Sequence, residues 1–420
     1  MTVTWTSGYS IKEAMPFVEW GHEGGSQVHL SPAGTLTFSR NSMCGSPART
    51  VGWRDPGYIH TSFLKELWPD SLYTYRLGHR LPDGTHIWSK PYSFRASPYP
   101  GQDSLQRVVI FGDLGKAEID GSDEYGNYEQ ASLYTTNQII KELDSIDMVI
   151  HIGDISYADG YLSQWDQFTA QIEPIASSVP YMIGIGNHER DWPDTGSFYG
   201  HNDSGGECGV PTQTLFYLPA ENRAKSWYKT DYGMFRFCVA NSEEDWRAGS
   251  EQYRFIEECV SSVDRSKQPW LVFLAHRVLG YSSGSWYEVM MGTYGEPMGR
   301  DGLEELWQKY KVDLAVFGHI HSYERTCPIY QASVCSSQTF PVYPYLQIII
   351  KASRVERDFV SFCVRACRAG ACRTDRTATS AASTRRRTSS SSSAAPASLP
   401  SGTAYPTGAS PGTTTSDSGS

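Results

Sequence analysis

Residues 313 to 327 read DLAVFGHIHSYERTC, placing His319 and His321 one residue apart behind Gly318 and a short apolar run. Where the backbone stays extended, two such rings leave from one face and can share a metal ion or a phosphate. A lone pair of this kind is more often a turn whose rings bond to nearby carbonyls. Here the arrangement recurs. Asp113 in FGDLG, Asp154 and Tyr157 in GDISYAD, Asn187, His188 and Glu189 in GNHE, and His276 in LAHR also stand just past apolar runs that end in Gly or Ala. Hard oxygen donors and imidazoles alternate from Asp113 to His321, which is the donor mixture of a metal site. Singly, Asp113 reads as a turn-former, Tyr157 as a core aromatic and Asn187 as a left-handed turn residue. The seven donors Asp113, Asp154, Tyr157, Asn187, His276, His319 and His321 exceed what one ion accommodates beside a water, so two ions are expected, with Asp154 a candidate bridge. Such a pair clamps a phosphoryl group between its attacking and leaving oxygens.

Apolar strands must carry these residues. From Arg107 the pattern is strand (RVVIF), helix (around ASLYTTNQIIKELDSI) and strand (DMVIHI), followed by the runs PYMIGIG, PWLVFLA and VDLAVFG. In an α/β sheet the carboxyl ends of the strands share one edge, where ligands bind. EQYRFIEECVSSVD and RDGLEELWQKYK read as connecting helices. The first hundred residues alternate polar and apolar in short runs with the turn Pro82-Asp83-Gly84 between them, which describes a small antiparallel β domain. ASPYPGQDS reads as a linker. Beyond Asp375 the only large apolar residues are Leu399 and Tyr405, among Ser, Thr, Ala, Pro, Gly and an arginine triplet, a composition that does not fold by itself. The expected division is therefore 1–96 β domain, 97–106 linker, 107–350 α/β domain and 351–420 an atypical, disordered tail.

Composition narrows the function classes. A chain of 420 residues, 39% hydrophobic, can bury a large core. A formal net charge of -10 argues against a nucleic-acid groove, since phosphate backbones are held by Lys and Arg. No stretch has the apolar length of a membrane span, and the start, MTVTWTSGYSIKEAMPF, lacks the regions of a signal peptide, so neither a membrane nor an export signal is expected. Cys327 and Cys335 bracket a loop that a disulfide could close, whereas Cys44, Cys208, Cys238 and Cys259 are scattered without metal-finger spacing. Asn202 in HNDSGG is a candidate glycosylation acceptor.

The blocks GDLG, GDxxYAD, GNHE, AHR and GHxHxYER, in this order, resemble the metallophosphoesterase superfamily and, within it, the plant purple acid phosphatases, over roughly residues 1 to 340. The segment LWPDSLYTYRLGHRLPDGTHIWSKPYSFRA is similar to the later strands of a fibronectin type III sandwich, with a tyrosine corner. The implied fold is an α/β (α+β) metallophosphoesterase sandwich preceded by an all-β fibronectin type III-like domain. The implied activity is that of an acid phosphatase, with hydroxide at a binuclear cluster attacking a phosphate mono- or diester. Most superfamily members carry D-x-H in the first block; here it is Asp113-Leu114-Gly115, and Tyr157 takes the histidine's place. A phenolate adds negative charge and favours Fe(III) in the first position. By resemblance the iron takes Asp113, Asp154, Tyr157 and His321. The second, divalent ion (Zn, Mn or Fe) takes Asp154, Asn187, His276 and His319. His188 would contact substrate phosphate or assist the leaving group, with Asn187 also at the substrate, and Glu189 would support the ligands.

The loop after His276, RVLGYSSGSWYEVMMGTYGEP, lacks the histidines of better-known relatives. It resembles the nucleotide pyrophosphatase/phosphodiesterase-like branch, in which Tyr281 and Trp286 would contact a base, although both also read as packing aromatics. The resemblance implies a small phosphate ester or nucleotide as substrate, a possible homodimer, and a secreted or vacuolar location. After GHxHxYER the relatives continue into a glycine-rich strand, whereas this chain reads IIIKASRVERDFVSFCVRACRAG, with PYLQIII as a candidate edge strand. Two rivals follow: a noncatalytic family member with a weak or unformed metal site, and a divalent-only phosphodiesterase.

Overall fold

Short alternating strands with tight turns dominate the first hundred residues and pair antiparallel, as expected. They are β1 Thr2–Ser7, β2 Met15–His22, β3 His29–Leu36, β4 Tyr58–Phe63, β5 Leu72–Arg80, β6 His86–Trp88 and β7 Tyr92–Arg95. Their order is β1-β4-β3-β2-β5-β6, with β7 also on β5. Val18, Trp20, Tyr73, Tyr75 and Phe94 form the core. The Tyr73 hydroxyl accepts the Trp68 backbone N–H at 2.8 Å, which is the contact of a tyrosine corner. Asp83 Oδ1 accepts the Thr85 N–H in the turn before β6, with Gly84 at φ +88°. This computed structural model describes residues 1–102, 104–120, 130–279, 300–321, 323–325, 329–330, 333–334, 346–349 and 360–364.

The remainder is built on two sheets. In the first, β8 Gln106–Phe111, β9 Met148–Ile152 and β10 Tyr181–Gly184 run parallel. In the second, β11 Tyr228–Tyr232 pairs antiparallel with β12 Phe235–Val239, which continues in parallel through β13 Trp270–Leu274 and β14 Leu314–Phe317. Period-two alternation decides the packing of the second sheet. Phe237, Val239, Val272, Leu274 and Val316 face the first sheet's Val108, Ile110 and Ile150 in one core. Cys238, Leu271, Phe273, Ala315 and Phe317 face the other way, onto Ile256 and Val260 of α5 (Glu251–Ser261) and Leu303 and Trp307 of α6 (Arg300–Tyr310). The outer face of the first sheet is covered by α1 (Gln130–Glu142) and α2 (Ser163–Ala176), whose Trp165, Phe168, Ile172 and Ile175 enter the shared core. The result is a helix–sheet–sheet–helix sandwich. The five ligand-bearing strands are thus divided between two facing sheets and do not lie in one. Among the described residues no helix is long and apolar enough to cross a membrane.

The β domain and the sandwich touch directly. Tyr75 donates its hydroxyl proton to the Ser177 carbonyl at 2.8 Å and Tyr92 to Glu173 Oε1 at 3.2 Å, both just at the end of α2. A disulfide joins Cys44 to Cys208, and a second joins Cys238 in β12 to Cys259 in α5, with Cα atoms 6.2 and 6.0 Å apart. Their spacing gives no sign of these pairings, because folding, and not sequence proximity, brings the cysteines together. Cys327 and Cys335 lie outside the described residues. PYLQIII does contribute a strand, Leu346–Ile349, parallel to β14. Within 351–420, expected to be disordered, Val360–Val364 forms a strand antiparallel to β8. The short run SFCV supplies the β-branched and aromatic residues that a strand favours. Residues 365–420 lie outside the described ones.

Candidate metal centre

The ligand-bearing turns follow strand ends, and glycines at two of them leave room for a ligand carboxylate. At Gly186 a Cβ would lie 2.3 Å from Asp154 Oδ1, and at Gly318 a Cβ would lie 2.6 Å from Asp113 Oδ2. Four of the donor residues take unusual backbone angles: Asp113 at φ +57°, Asp154 at +48°, Tyr157 at +49° and His319 at +69°. Left-handed backbone at non-glycine residues costs on the order of 1–3 kcal/mol each and concentrates at functional sites. Hydrogen bonds hold the turns in place. Glu189 accepts three backbone N–H groups, from Asp154 and Gly186 through Oε2 at 2.9 and 3.0 Å and from Ile155 through Oε1 at 2.7 Å. Buried Lys116 donates to the Tyr157 carbonyl at 3.1 Å.

The side chains converge in two groups that share Asp154. In the first, Asp113, Asp154 and His321 present donor atoms within 4.8 Å of one another. Tyr157 belongs with them: its hydroxyl lies 2.9 Å from His321 Nε2 and 3.3 Å from Asp113 Oδ1. In the second, Asp154, His276 and His319 gather within the same limit. Asn187 joins this group with Oδ1 3.1 Å from His276 Nε2, which also stands 3.2 Å from Asp154 Oδ2. The tautomer of His276 follows from its other nitrogen, which lies 3.0 Å from the Ile152 carbonyl. A carbonyl only accepts, so Nδ1 carries a proton, and Nε2 is the nitrogen that faces Asp154 and Asn187. All seven expected donors therefore meet in one place.

Electrostatics favours a cationic guest. Asp113, Asp154 and Glu189 are buried to 1% exposure or less at this site. Burying several carboxylates together is costly unless cations offset them. Burial acts against ionisation of Asp154, but the His276 and His188 rings outweigh it and hold the carboxyl well below the usual range. Burial likewise opposes the charged form of His276, and Asp154 overcomes it, raising the ring to about 9. Glu189 is pushed up to about 7 by burial and then by Asp154. His319 is driven well below its ordinary value by burial and by Arg277, so its ring is neutral. Its buried Nε2 has no hydrogen-bond partner among the described residues. A buried ring nitrogen without a partner beside Asp154 and His276 is satisfied by binding a cation, so the donor set fits two metal ions.

His188 borders the group. Its Nδ1 donates to Asp159 Oδ1 at 2.7 Å, while Nε2 stands 4.0 Å from Asp154 Oδ2. Burial opposes its charge, and Asp154 and Asp159 more than reverse this, raising the ring to about 10. The spacing of motifs missed Asp159, although it stands two residues after Tyr157 in the same turn and at φ +46°. It also missed Glu207, which accepts from the Gly160 N–H at 2.8 Å and the Trp165 indole at 2.9 Å and so braces the turn carrying Asp159. Behind the site, buried Arg277 pairs with Glu243 through two 2.8 Å hydrogen bonds and lies 3.8 Å from the Tyr199 ring centre. Tyr281 and Trp286 lie outside the described residues.

The calcineurin-like phosphoesterase model matches residues 106–323, which contain every one of these donors, and the purple acid phosphatase N-terminal domain model matches residues 1–96. The chain belongs to the purple acid phosphatase family of calcineurin-like phosphoesterases. Among purple acid phosphatases it is 64% identical to the yellow lupin seed protein PPD1, with a TM-score of 0.80 over 87% of this chain and 66% of that one. It is 70% identical to a protein named probable inactive purple acid phosphatase 24 of Arabidopsis thaliana, over 79% of this chain and 54% of the relative. It is 64% identical to a nucleotide pyrophosphatase/phosphodiesterase of Hordeum vulgare, over 60% of this chain and 68% of the relative. The chain thus spans about half the length of the Arabidopsis relatives that it matches. Family members bind a dinuclear metal centre, and the two donor groups sharing Asp154 are this chain's candidates for it.

Proposed function

We propose that this chain is a binuclear-metal phosphohydrolase acting on small phosphate esters, with nucleotide diesters or pyrophosphates as the favoured class. The observation that carries the reading is the pair of donor groups joined by the buried Asp154, one of them containing an imidazole nitrogen without a partner. Asp113, Asp154, Tyr157 and His321 would hold Fe(III), and Asp154, Asn187, His276 and His319 a divalent ion. Two such ions supply Lewis acidity toward a phosphoryl oxygen and acidify a bound water.

The chain's own residues do the rest. Asp154 links the two positions. Tyr157 contributes an oxygen donor where most superfamily members place a histidine. His188, oriented by Asp159 through Nδ1, presents Nε2 toward the cavity, where it can bind a phosphate oxygen or give a proton to the departing alkoxide. Burial, and after it Arg277, holds the His319 ring well below its ordinary value, in the neutral form that can serve as a ligand. The nucleotide preference is supported by the printed name of the barley relative, and the two disulfides support an oxidising compartment, secreted or vacuolar.

A noncatalytic role is the second reading, favoured by the word inactive in the Arabidopsis relatives' names. Iron and zinc content, the visible spectrum and hydrolysis of bis-p-nitrophenyl phosphate separate the two. The proposal expects about one iron per chain, a visible band lost in Tyr157→Phe, and turnover abolished together with metal binding in Asp154→Ala. Metal-loaded protein without turnover of any mono- or diester would leave the noncatalytic reading standing.

A further inference from the structure

We propose that Asp203 is a positioning residue for this centre, fixing the Asn187 side chain so that its oxygen faces the divalent-ion position. The inference rests on the metal-centre reading above. Asn187 Nδ2 donates to Asp203 Oδ2 at 2.9 Å. An ionised carboxylate has no proton to give, so the amide nitrogen must be the atom turned toward it. Oδ1 is thereby turned the other way, to within 3.1 Å of His276 Nε2. A flipped amide would present two N–H groups to a cation and repel it. The terminal torsion of asparagine is broad, so the torsion itself does not choose between the two orientations. The choice comes from Asp203.

Asp203 is held in place by a clamp. Asp191 directly follows the short helix α3 (Asn187–Arg190), and its carboxylate is fully buried. Oδ1 accepts the Ser197 hydroxyl, the Gly200 N–H at 2.9 Å and the His201 N–H at 3.1 Å. The Asp191 carbonyl accepts the Ser204 N–H at 3.1 Å. These bonds fold residues 197 to 204 back onto the helix that carries Asn187, which delivers Asp203 to its amide. The other Asp191 oxygen lies 3.4 Å from an Arg277 nitrogen, and Arg277 immediately follows His276, so the clamp is tied to both neighbouring ligands. Asp191, His201 and Asp203 gather like a third ligand group. With the carboxylates engaged by these donors and a guanidinium beside them, the group reads as a brace and not as a cation site.

The test compares wild type, Asp203→Ala and Asp203→Asn, each reconstituted with Fe(III) and Zn(II). Zinc affinity is measured by competition with a chelator, iron by its visible band, and fold by melting of the metal-free proteins. Asparagine at 203 still offers an acceptor oxygen, and alanine offers none. The expected result is zinc binding weakened about 10–100-fold in Asp203→Ala, the iron band unchanged, near-wild-type zinc affinity in Asp203→Asn, and matching melts. Equal zinc affinity in all three proteins overturns the proposal. So does an equal loss in both variants, because the carboxylate charge and not its acceptor would then matter. A wild-type chain that takes up neither ion overturns the metal-centre reading as well, an outcome distinct from a defect confined to Asp203→Ala.

Discussion

The carboxylate of Asp113 accepts the backbone N–H of His319 with both oxygens, at 3.1 and 2.9 Å, across 206 positions of sequence. This bond closes the circuit of ligand turns: the first donor in the chain holds the backbone that bears the last two. It leaves no room at Gly318, where a methyl group would lie 2.6 Å from Asp113 Oδ2. Gly318→Ala is therefore expected to displace Asp113 and cost at least about 100-fold in turnover, the scale of a misplacement of about 1 Å. Activity and iron content of the purified variant check this. A variant with wild-type iron and turnover would mean that the turn yields more readily than its contacts imply.

Arg277 is predicted to be the most costly buried charge to remove. Its guanidinium forms a two-point pair with Glu243 and touches Asp191, all buried. Arg277→Met leaves both carboxylates uncompensated, and the expected loss is about 3–5 kcal/mol. Urea unfolding of the metal-free protein measures it, and a loss below about 1 kcal/mol would contradict the account.

The β domain carries a pH dependence whose sign follows from His60. This ring is fully buried between the Ser7 and Thr35 hydroxyls, each 2.8 Å away, and burial, with His79 adding to it, lowers it to about 4. In the unfolded chain an imidazole titrates near about 6.5. Between those values the unfolded chain takes up a proton that the folded one refuses. Stability from this group is therefore intact above about 6.5 and falls as pH drops toward about 4, by up to about 3 kcal/mol. Unfolding midpoints at neutral and mildly acidic pH should converge in His60→Gln relative to wild type. A pH slope identical in both proteins would exclude His60 as the source.

Loss of the Cys44–Cys208 bridge, in a paired serine variant, is expected to lower the unfolding free energy by about 2–4 kcal/mol. Cys208 directly follows Glu207, which braces the turn bearing Asp159, so the same variant is expected to lower turnover as well. Chemical unfolding and steady-state rates report the two effects separately, and a change in neither would mean that noncovalent contacts already fix this junction.

The fold and the main ligand positions were legible because their signals are local. A strand of apolar residues, a glycine that permits close approach and a polar residue after it can be read within eight or nine letters, as at FGDLG, HIGD and GHIH. The division of those strands between two sheets was less visible, since parallel neighbours such as β9 and β10 carry no local mark of the sheet that they join. Asp159, Asp191 and Asp203 act through hydrogen bonds to an imidazole, to backbone and hydroxyl groups and to an amide, and an aspartate in a polar loop looks the same whether or not it does so. The disulfides were hidden for a similar reason. Cys44 and Cys208 are 164 residues apart and meet only when two separately folded segments dock.

That docking makes the molecule a closed ring. Among the described residues the peptide chain crosses from the β domain to the sandwich once, near residue 100, and the Cys44–Cys208 bond crosses it again. A single protease cut at the crossing therefore leaves two pieces still covalently joined. On a denaturing gel they run together until a reductant is added, so the family's N-terminal module is, in this chain, not a part that one hydrolytic event can release.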